Sequence, residues 1–232
     1  MRDIVFRPTS KNAELLADKP KPARSCIPKW FKDIPKFENG VMEIDEGGGA
    51  NTTMKACMPF LDTFTTGYIQ ETWCDIYIDT TNPESISWKF PIQPVILRDR
   101  LGKNMYPKIE GFSKNELAWQ QVWTPKLPDG YSMIYTHPLN RFDLPFLSLT
   151  GIIDNDSYYM EDVANHPVFF KEGFKGVIPK GTPMFQMIPM KRDEWQSKFE
   201  KYDEDLVVKF SSVKSFFVDG YKKMYWNKKS YN

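Results

Sequence analysis

Between Tyr68 and Pro189 the chain is a succession of short β-rich runs, each cut off by proline, glycine or asparagine before it grows long. Strand candidates are Trp73–Ile78, Ile86–Phe90, Val95–Leu97, Gln121–Thr124, Tyr131–Thr136, Phe146–Ile153, Val168–Phe170 and Met184–Pro189. Pro128-Asp129-Gly130 and Pro179-Lys180-Gly181 are turn signals with a mechanism: proline presets φ, and glycine accepts a positive φ. Many short strands at close spacing predict a mainly β fold, an antiparallel sandwich or barrel.

The flanks have a different character. Residues 1–50 form an arm carrying Pro8, Pro20, Pro22, Pro28 and Pro35, which exclude long helices and central strands there. Pro28 to Pro35 reads as one short helical turn, with Trp30, Phe31 and Ile34 pinning it to the body, and Gly47-Gly48-Gly49 reads as a joint. Thr52–Phe64 reads as a short helix interrupted by Pro59. Beyond the β-rich core, 51–192, the segment 193–232 places Trp195, Phe199, Tyr202, Leu206, Phe210, Val213 and Phe217 at spacings of three and four. That is the stripe of an amphipathic helix, with Asp193 and Glu194 at its positive end and Gly220 as its stop. A tail with four lysines, Lys222, Lys223, Lys228 and Lys229, follows, interleaved with Tyr221, Tyr225, Trp226 and Tyr231.

Charge and cysteine usage exclude several function classes. Lys+Arg 31 against Asp+Glu 30 leaves a net +1, too balanced for a dedicated duplex-DNA binder, which needs a basic face to displace counterions. No apolar run reaches the length of a spanning helix, and Met1–Pro8 carries no apolar leader, so neither membrane nor secretion is expected. Cys26, Cys57 and Cys74 are odd in number and widely spaced, which predicts small core residues in a reducing compartment and no disulfides.

Three blocks carry a resemblance: Leu127 to Arg141, with Leu-Pro-x-Gly-Tyr and His137-Pro138-Leu139-Asn140-Arg141; Gly151-Ile152-Ile153-Asp154 to Tyr158; and Gly176 to Pro189, with Gln186. In order and spacing, over roughly 125–190, they resemble the dUTPase and dCTP deaminase superfamily. The resemblance implies a β-clip or jelly-roll barrel and a homo-oligomer, a trimer by analogy. It also implies that Asp154 orients a water, that Tyr158 packs on a deoxyribose, and that Gln186 contacts phosphate or a neighbouring subunit. The family's Arg-Ser phosphate grip is replaced here by Leu139-Asn140, leaving Asn140 and Arg141 as ligand candidates, and its Gly-rich C-terminal arm is replaced by the helix and lysine tail. The whole chain also resembles an uncharacterised phage and bacterial family, through Cys57–Asp62, Thr66-Gly67-Tyr68, His137–Arg141 and Gly176–Pro189.

Other chemistry is thin. His137 and His166, each followed by proline, read as turn-flanking residues, and no metal site is expected. Asp154-Asn155-Asp156 reads on its own residues as a turn held by Asx hydrogen bonds. No G-x-S-x-G, Walker loop or Rossmann fingerprint is present. The leading expectation is a non-catalytic interaction or virion-building module of phage, found in the virion or the infected cell's cytoplasm. Trp30, Phe31, Trp195, Phe199 and Trp226 would be its contacts to copies of itself or other virion proteins. The alternatives are a nucleotide-processing enzyme using Asp154, the one case calling for Mg2+, and a nucleotide or small-ligand binder without turnover; otherwise no cofactor is expected.

Overall fold

The structure is a computed structural model that describes residues 2–46, 49–82, 85–99, 106–159, 165–216 and 219–232. Its elements in chain order are β1 (Val5–Pro8), α1 (Lys11–Leu16), β2 (Lys21–Pro22), α2 (Lys29–Asp33), α3 (Met58–Thr65), β3 (Tyr68–Glu71), β4 (Ile76–Asp79), β5 (Ser87–Lys89) and β6 (Leu97–Asp99). They continue with β7 (Leu117–Gln120), β8 (Trp123–Lys126), β9 (Tyr131–Thr136), β10 (Phe146–Ser148), β11 (Gly151–Ile153), β12 (Asn165–Phe170), β13 (Lys175–Ile178), β14 (Pro183–Lys191), α4 (Glu204–Phe216) and α5 (Gly220–Met224). The chain is mainly β, as the strand-and-turn pattern predicts. It divides into two compact units: Met1–Ala23 with Gly67–Arg192, and Arg24–Thr66 with Asp193–Asn232. Against the sequence boundaries near 50 and 192, the units therefore change over at 23/24, 66/67 and 192/193.

Among the described residues the first unit holds four antiparallel sheets, ordered β1-β8, β10-β12-β7-β6, β11-β9-β14-β3-β2 and β13-β4-β5. Alternation on β4 sends Ile76 and Ile78 inward and leaves Tyr77 and Asp79 half-buried, the period of a strand with one face on the core. One apolar cluster gathers these with Trp73, Leu117, Trp119, Trp123, Tyr135, Phe146, Phe170 and Phe185. Each buried indole N–H finds an acceptor: Trp73 at Pro94 O (3.2 Å), Trp119 at Ser148 Oγ (3.0 Å) and Trp123 at Ala17 O (3.2 Å). The arm's prolines sit where a missing donor is tolerated: β1, ending in Pro8, belongs to a two-stranded ribbon, and β2, with Pro22, is a sheet edge.

The second unit is built on aromatic contacts. Phe31 of α2 is 2% exposed. Its ring lies 4.8 Å from Phe64 and 5.7 Å from Phe60, both on α3, and 5.9 Å from Trp30, centroid to centroid. The tail returns to α3: the Asp62 carboxylate accepts from the Trp226 indole at 3.0 Å and pairs with Lys229 at 2.6 Å.

Several local expectations are corrected. Pro59 does not interrupt a helix; it stands in the first turn of α3, where its missing N–H has no helical partner to lose, after a separate turn at Met54–Ala56. Trp73 and Cys74 lie in a bend before β4 and are buried by it. The run 146–153 is two strands in different sheets, and 121–124 straddles the break between β7 and β8. The amphipathic helix begins at Glu204, not near 193. Asp203 Oδ1 accepts from Leu206 N–H at 3.0 Å and caps it there, with Glu204 and Asp205 in the first turn. Trp195, Phe199 and Tyr202 are 90%, 95% and 78% exposed, so their stretch has no surface to stabilise helical turns that are marginal alone. Gly220 opens α5 rather than closing α4. Of the cysteines, all free, only Cys74 is buried, and Cys57 is exposed. Gly47, Gly48 and Phe217 lie outside the described residues.

Candidate functional site

The centre of the candidate site is β9, because both its neighbours end on it. β11 runs antiparallel to it with Ile153 opposite Met133, and β14 flanks the other side with Lys191 opposite Tyr131. The residues that follow those strands, Asp154 and Arg192, therefore arrive together at the start of β9. Ser132 Oγ donates to Asp154 Oδ1 at 2.6 Å, and Arg192 Nη1 lies 3.1 Å from the same oxygen. Arg192 also donates to Ser132 Oγ and Tyr131 O, both at 3.2 Å, and pairs with Asp156. Gly130, with φ +81° in the Pro-Asp-Gly turn, gives its N–H to Asp156 Oδ2 at 2.9 Å. The Arg192 guanidinium, with that backbone donor, pulls the Asp156 carboxyl down to about 2.

The turn after Asp154 is closed by its own carbonyl, which accepts from Tyr158 N–H at 2.8 Å and Ser157 N–H at 3.1 Å. Asn155, 2% exposed, anchors it: Nδ2 donates to Tyr158 O, and Oδ1 accepts from the Tyr135 hydroxyl at 2.9 Å. The chain of contacts continues inward. Gln121 Nε2 donates to Tyr135 Oη at 3.3 Å, and Gln121 Oε1 lies 3.2 Å from His166 Nε2. The His166 ring stacks on Tyr135 at 4.4 Å. Burial drives His166 down to about 3 and pushes the Tyr135 phenol up. His166 is thus a strand residue of β12 inside the core, not a turn-flanking one.

The other end of β9 carries the remaining candidates. Gln186, opposite Thr136, is 2% exposed, and its Oε1 accepts from Leu139 N–H at 2.9 Å. It holds the loop that follows β9. In that loop Asn140 adopts a positive φ of 57°, and Arg141 grips Asp143 through two bonds of 2.8 Å. Arg141 O accepts from His137 Nε2 at 3.1 Å, while Nδ1 receives Ser148 N–H, so both ring nitrogens serve the backbone. Ser132 and Thr136 are four residues apart on one strand, about 13 Å. Within one chain, the structure places Asp154 and Tyr158 at one end of β9 and Gln186, Asn140 and Arg141 at the other.

Around the Asp154 turn the surface is aromatic and cationic. Tyr158 is 51% exposed. The Tyr159 ring has Lys126 Nζ at 4.5 Å and the Arg7 guanidinium at 5.7 Å from its centroid. Sequence reading missed Ser132, Arg192, Lys126 and Arg7. The signal that finds Arg192 is the register of β14 on β9, a pairing across some 60 residues that local spacing does not encode. Of the contact candidates, Phe31 is interior to the second unit, and Trp226 is half-buried on Asp62. Trp30 packs against Phe31 and Phe64, and Trp195 and Phe199 face solvent. Among the described residues, no group of three or more His, Cys, Asp or Glu side chains could hold a metal, and no helix is long and apolar enough to cross a membrane.

No family model and no curated protein matches the chain. Among solved structures it is similar to a variant dUTPase of phage phi11 of S. aureus described with a structural Mg(II) ion, at TM-score 0.37 and 11% identity, covering 87% of this chain and 97% of that one. It is similar to two variants of the Staphylococcus bacteriophage 80alpha dUTPase with dUpNHpp, at TM-scores 0.39 and 0.36 and 10% and 9% identity, each covering 88% of this chain and 90% of that one. At such values the likeness carries no argument about substrate or activity.

Proposed function

We propose that the chain is a non-catalytic interaction module of a phage, built into particles or assembling around them, whose contact surface is the segment from Trp195 to Phe210. The observation that carries this reading is the exposure of Trp195, Phe199 and Tyr202, at 90%, 95% and 78%. Three large aromatic rings left in water on one short stretch are a contact surface awaiting its partner. The Asp154 turn supports the non-catalytic part. Both described contacts of its carboxylate, from Ser132 and Arg192, fall on Oδ1 and tie the turn to β9 and β14, and the other ligand candidates stand at the far end of β9. The phage assignment rests on the sequence resemblance alone. Mass spectrometry of purified particles tests it: wild-type protein is expected in the particles and a Trp195→Ser/Phe199→Ser variant is expected to be lost from them. Protein found only in the infected-cell lysate overturns the virion reading.

A second reading, binding of a nucleotide or small anion without turnover, is favoured by Lys126 and Arg7 converging on Tyr159 beside the exposed Tyr158. Thermal shift against a panel of deoxynucleoside triphosphates tests it. A binder at a hundred times its Kd adds about 2.7 kcal/mol of stability, and Arg7→Glu/Lys126→Glu removes that shift. No shift with any triphosphate removes this reading.

A further inference from the structure

We propose that the outer face of the β1–β8 ribbon binds single-stranded nucleic acid, with Arg7 and Lys126 on successive phosphates and the Tyr158 ring stacked on a base. This rests on the second reading above and names its ligand as a polymer rather than a free nucleotide.

The ribbon sets the spacing. Val5 stands opposite Lys126, and Arg7 opposite Thr124. Side chains directly opposite share a face, so these four point the same way, while Phe6 and Trp123 turn to the core. Arg7 and Lys126 are diagonal neighbours on that face, with Cβ atoms roughly 7 Å apart. The step between successive phosphates of an extended single strand is of similar length.

The face is cationic. β1 and β8 carry Arg7 and Lys126 and no carboxylate, and the acids flanking them in sequence, Asp3 and Asp129, fall beyond the strand ends. Among the described residues neither cation pairs with a carboxylate, and Asp154 and Asp156, on the adjoining turn, are taken by Arg192. The Tyr159 ring lies 5.7 Å from the Arg7 guanidinium and 4.5 Å from Lys126 Nζ. A ring face positions a cation without neutralising it, so the N–H groups of both remain for a phosphate. A free triphosphate gathers several charges about one point and needs more donors than these two. Two cations one phosphate step apart match a chain bearing one charge per step.

The stacking platform lies next to them. Leu127 N–H donates to Asn155 O at 3.1 Å and moors the 154–159 turn to the end of β8. In that turn Tyr158 is held by its backbone: its N–H donates to Asp154 O at 2.8 Å, and its O accepts from Asn155 Nδ2 at 2.8 Å. Its ring is 51% exposed. One Cα step of about 3.8 Å separates it from Tyr159. An exposed ring on a fixed backbone beside two cations is what single-strand binders use: cations track the backbone, and rings take bases irrespective of sequence. A lipid headgroup surface offers phosphates but no base to stack, so the ring selects nucleic acid over membrane.

Fluorescence anisotropy of the full chain with a labelled oligothymidylate about a dozen nucleotides long tests this. Wild type is expected to bind it, and a fourfold rise in salt is expected to weaken binding about sevenfold, as two neutralised phosphates require. dTTP is expected to compete for the site at least tenfold more weakly than the oligonucleotide. Arg7→Glu/Lys126→Glu is expected to weaken binding at least tenfold, and Arg7→Lys/Lys126→Arg, which keeps both charges, to retain it. Tyr158→Ala is expected to weaken binding about tenfold with the salt dependence unchanged, since it removes stacking and not charge. No binding of the oligonucleotide in low salt, or binding that survives the charge reversal, overturns the inference. If triphosphates then still give a thermal shift that needs Arg7 and Lys126, the second reading stands with a free nucleotide as ligand; if they give none, both fall. Competition by dTTP as tight as that of the oligonucleotide likewise returns the site to a free nucleotide. Tighter binding to anionic phosphatidylglycerol vesicles through the same two residues makes the face a membrane contact and overturns the inference too.

Discussion

His166 sets the acid stability of the first unit. Its ring is enclosed by Tyr135 and Phe185, with centroids at 4.4 and 4.3 Å, and Gln121 Oε1 lies 3.2 Å from Nε2. Burial holds it neutral down to about pH 3 in the folded state. In the unfolded chain the imidazole titrates near 6.5. The unfolded state therefore gains a proton first as pH falls, and stability drops wherever it does. The neutral ring's contribution is complete above pH 6.5 and is lost progressively between 6.5 and about 3. From pH 7 to pH 5 the loss is about 2 kcal/mol, at about 1.4 kcal/mol per unit. Asp156 titrates below this window, so its Arg192 contact does not obscure the slope. Burial lowers His137 as well, but it is common to both proteins compared. The assay is urea unfolding at pH 7, 6 and 5, read by pulsed hydrogen exchange in β9 and β12, for wild type and His166→Gln. Wild type is expected to lose about 2 kcal/mol more than the variant over that range. Parallel pH dependences in the two proteins refute the reasoning, because they mean that His166 is not shielded from protons in the folded state.

Other substitutions test other parts of the account. At Gly67, φ is +74° and an added Cβ falls 2.0 Å from Met187 O, so Gly67→Ala is expected to destabilise the first unit by about 2 kcal/mol or more in urea melts. Phe31→Ala empties the aromatic cluster of α2 and α3 and is expected to cost the second unit about 3–5 kcal/mol, read as faster amide exchange in both helices. Asp62→Ala removes the acceptor for Trp226 and Lys229, and amides 221–229 are expected to exchange faster, with the loss of about 1.5–3 kcal/mol of local protection.

The legible parts of the fold were those fixed locally. β9 is read to the residue because Pro128-Asp129-Gly130 fixes its start and its own β-rich run fixes its length. The short helix at Trp30 is likewise local. What was not legible depends on distant chain. β-propensity alone does not separate Trp73 and Cys74, buried in a bend, from the strand that follows. The 195–217 stripe has a true helical period, yet helix forms only from Glu204 onward, behind the Asp203 cap, because periodicity states which face would be buried and not whether anything covers it. At the candidate site, the motif points to Asp154 and Tyr158, whereas Arg192, the cation on Asp154, is not legible locally, since its place depends on β14 pairing with β9.

Pyrophosphate release is the most direct test of the claim that this fold works by contact rather than by chemistry. Wild type and Asp154→Asn are incubated with dUTP and the four common deoxynucleoside triphosphates in the presence of Mg2+. The account predicts release at the buffer rate from both proteins with every nucleotide. Release by wild type that Asp154→Asn abolishes contradicts it, and makes the Asp154 turn a catalytic site.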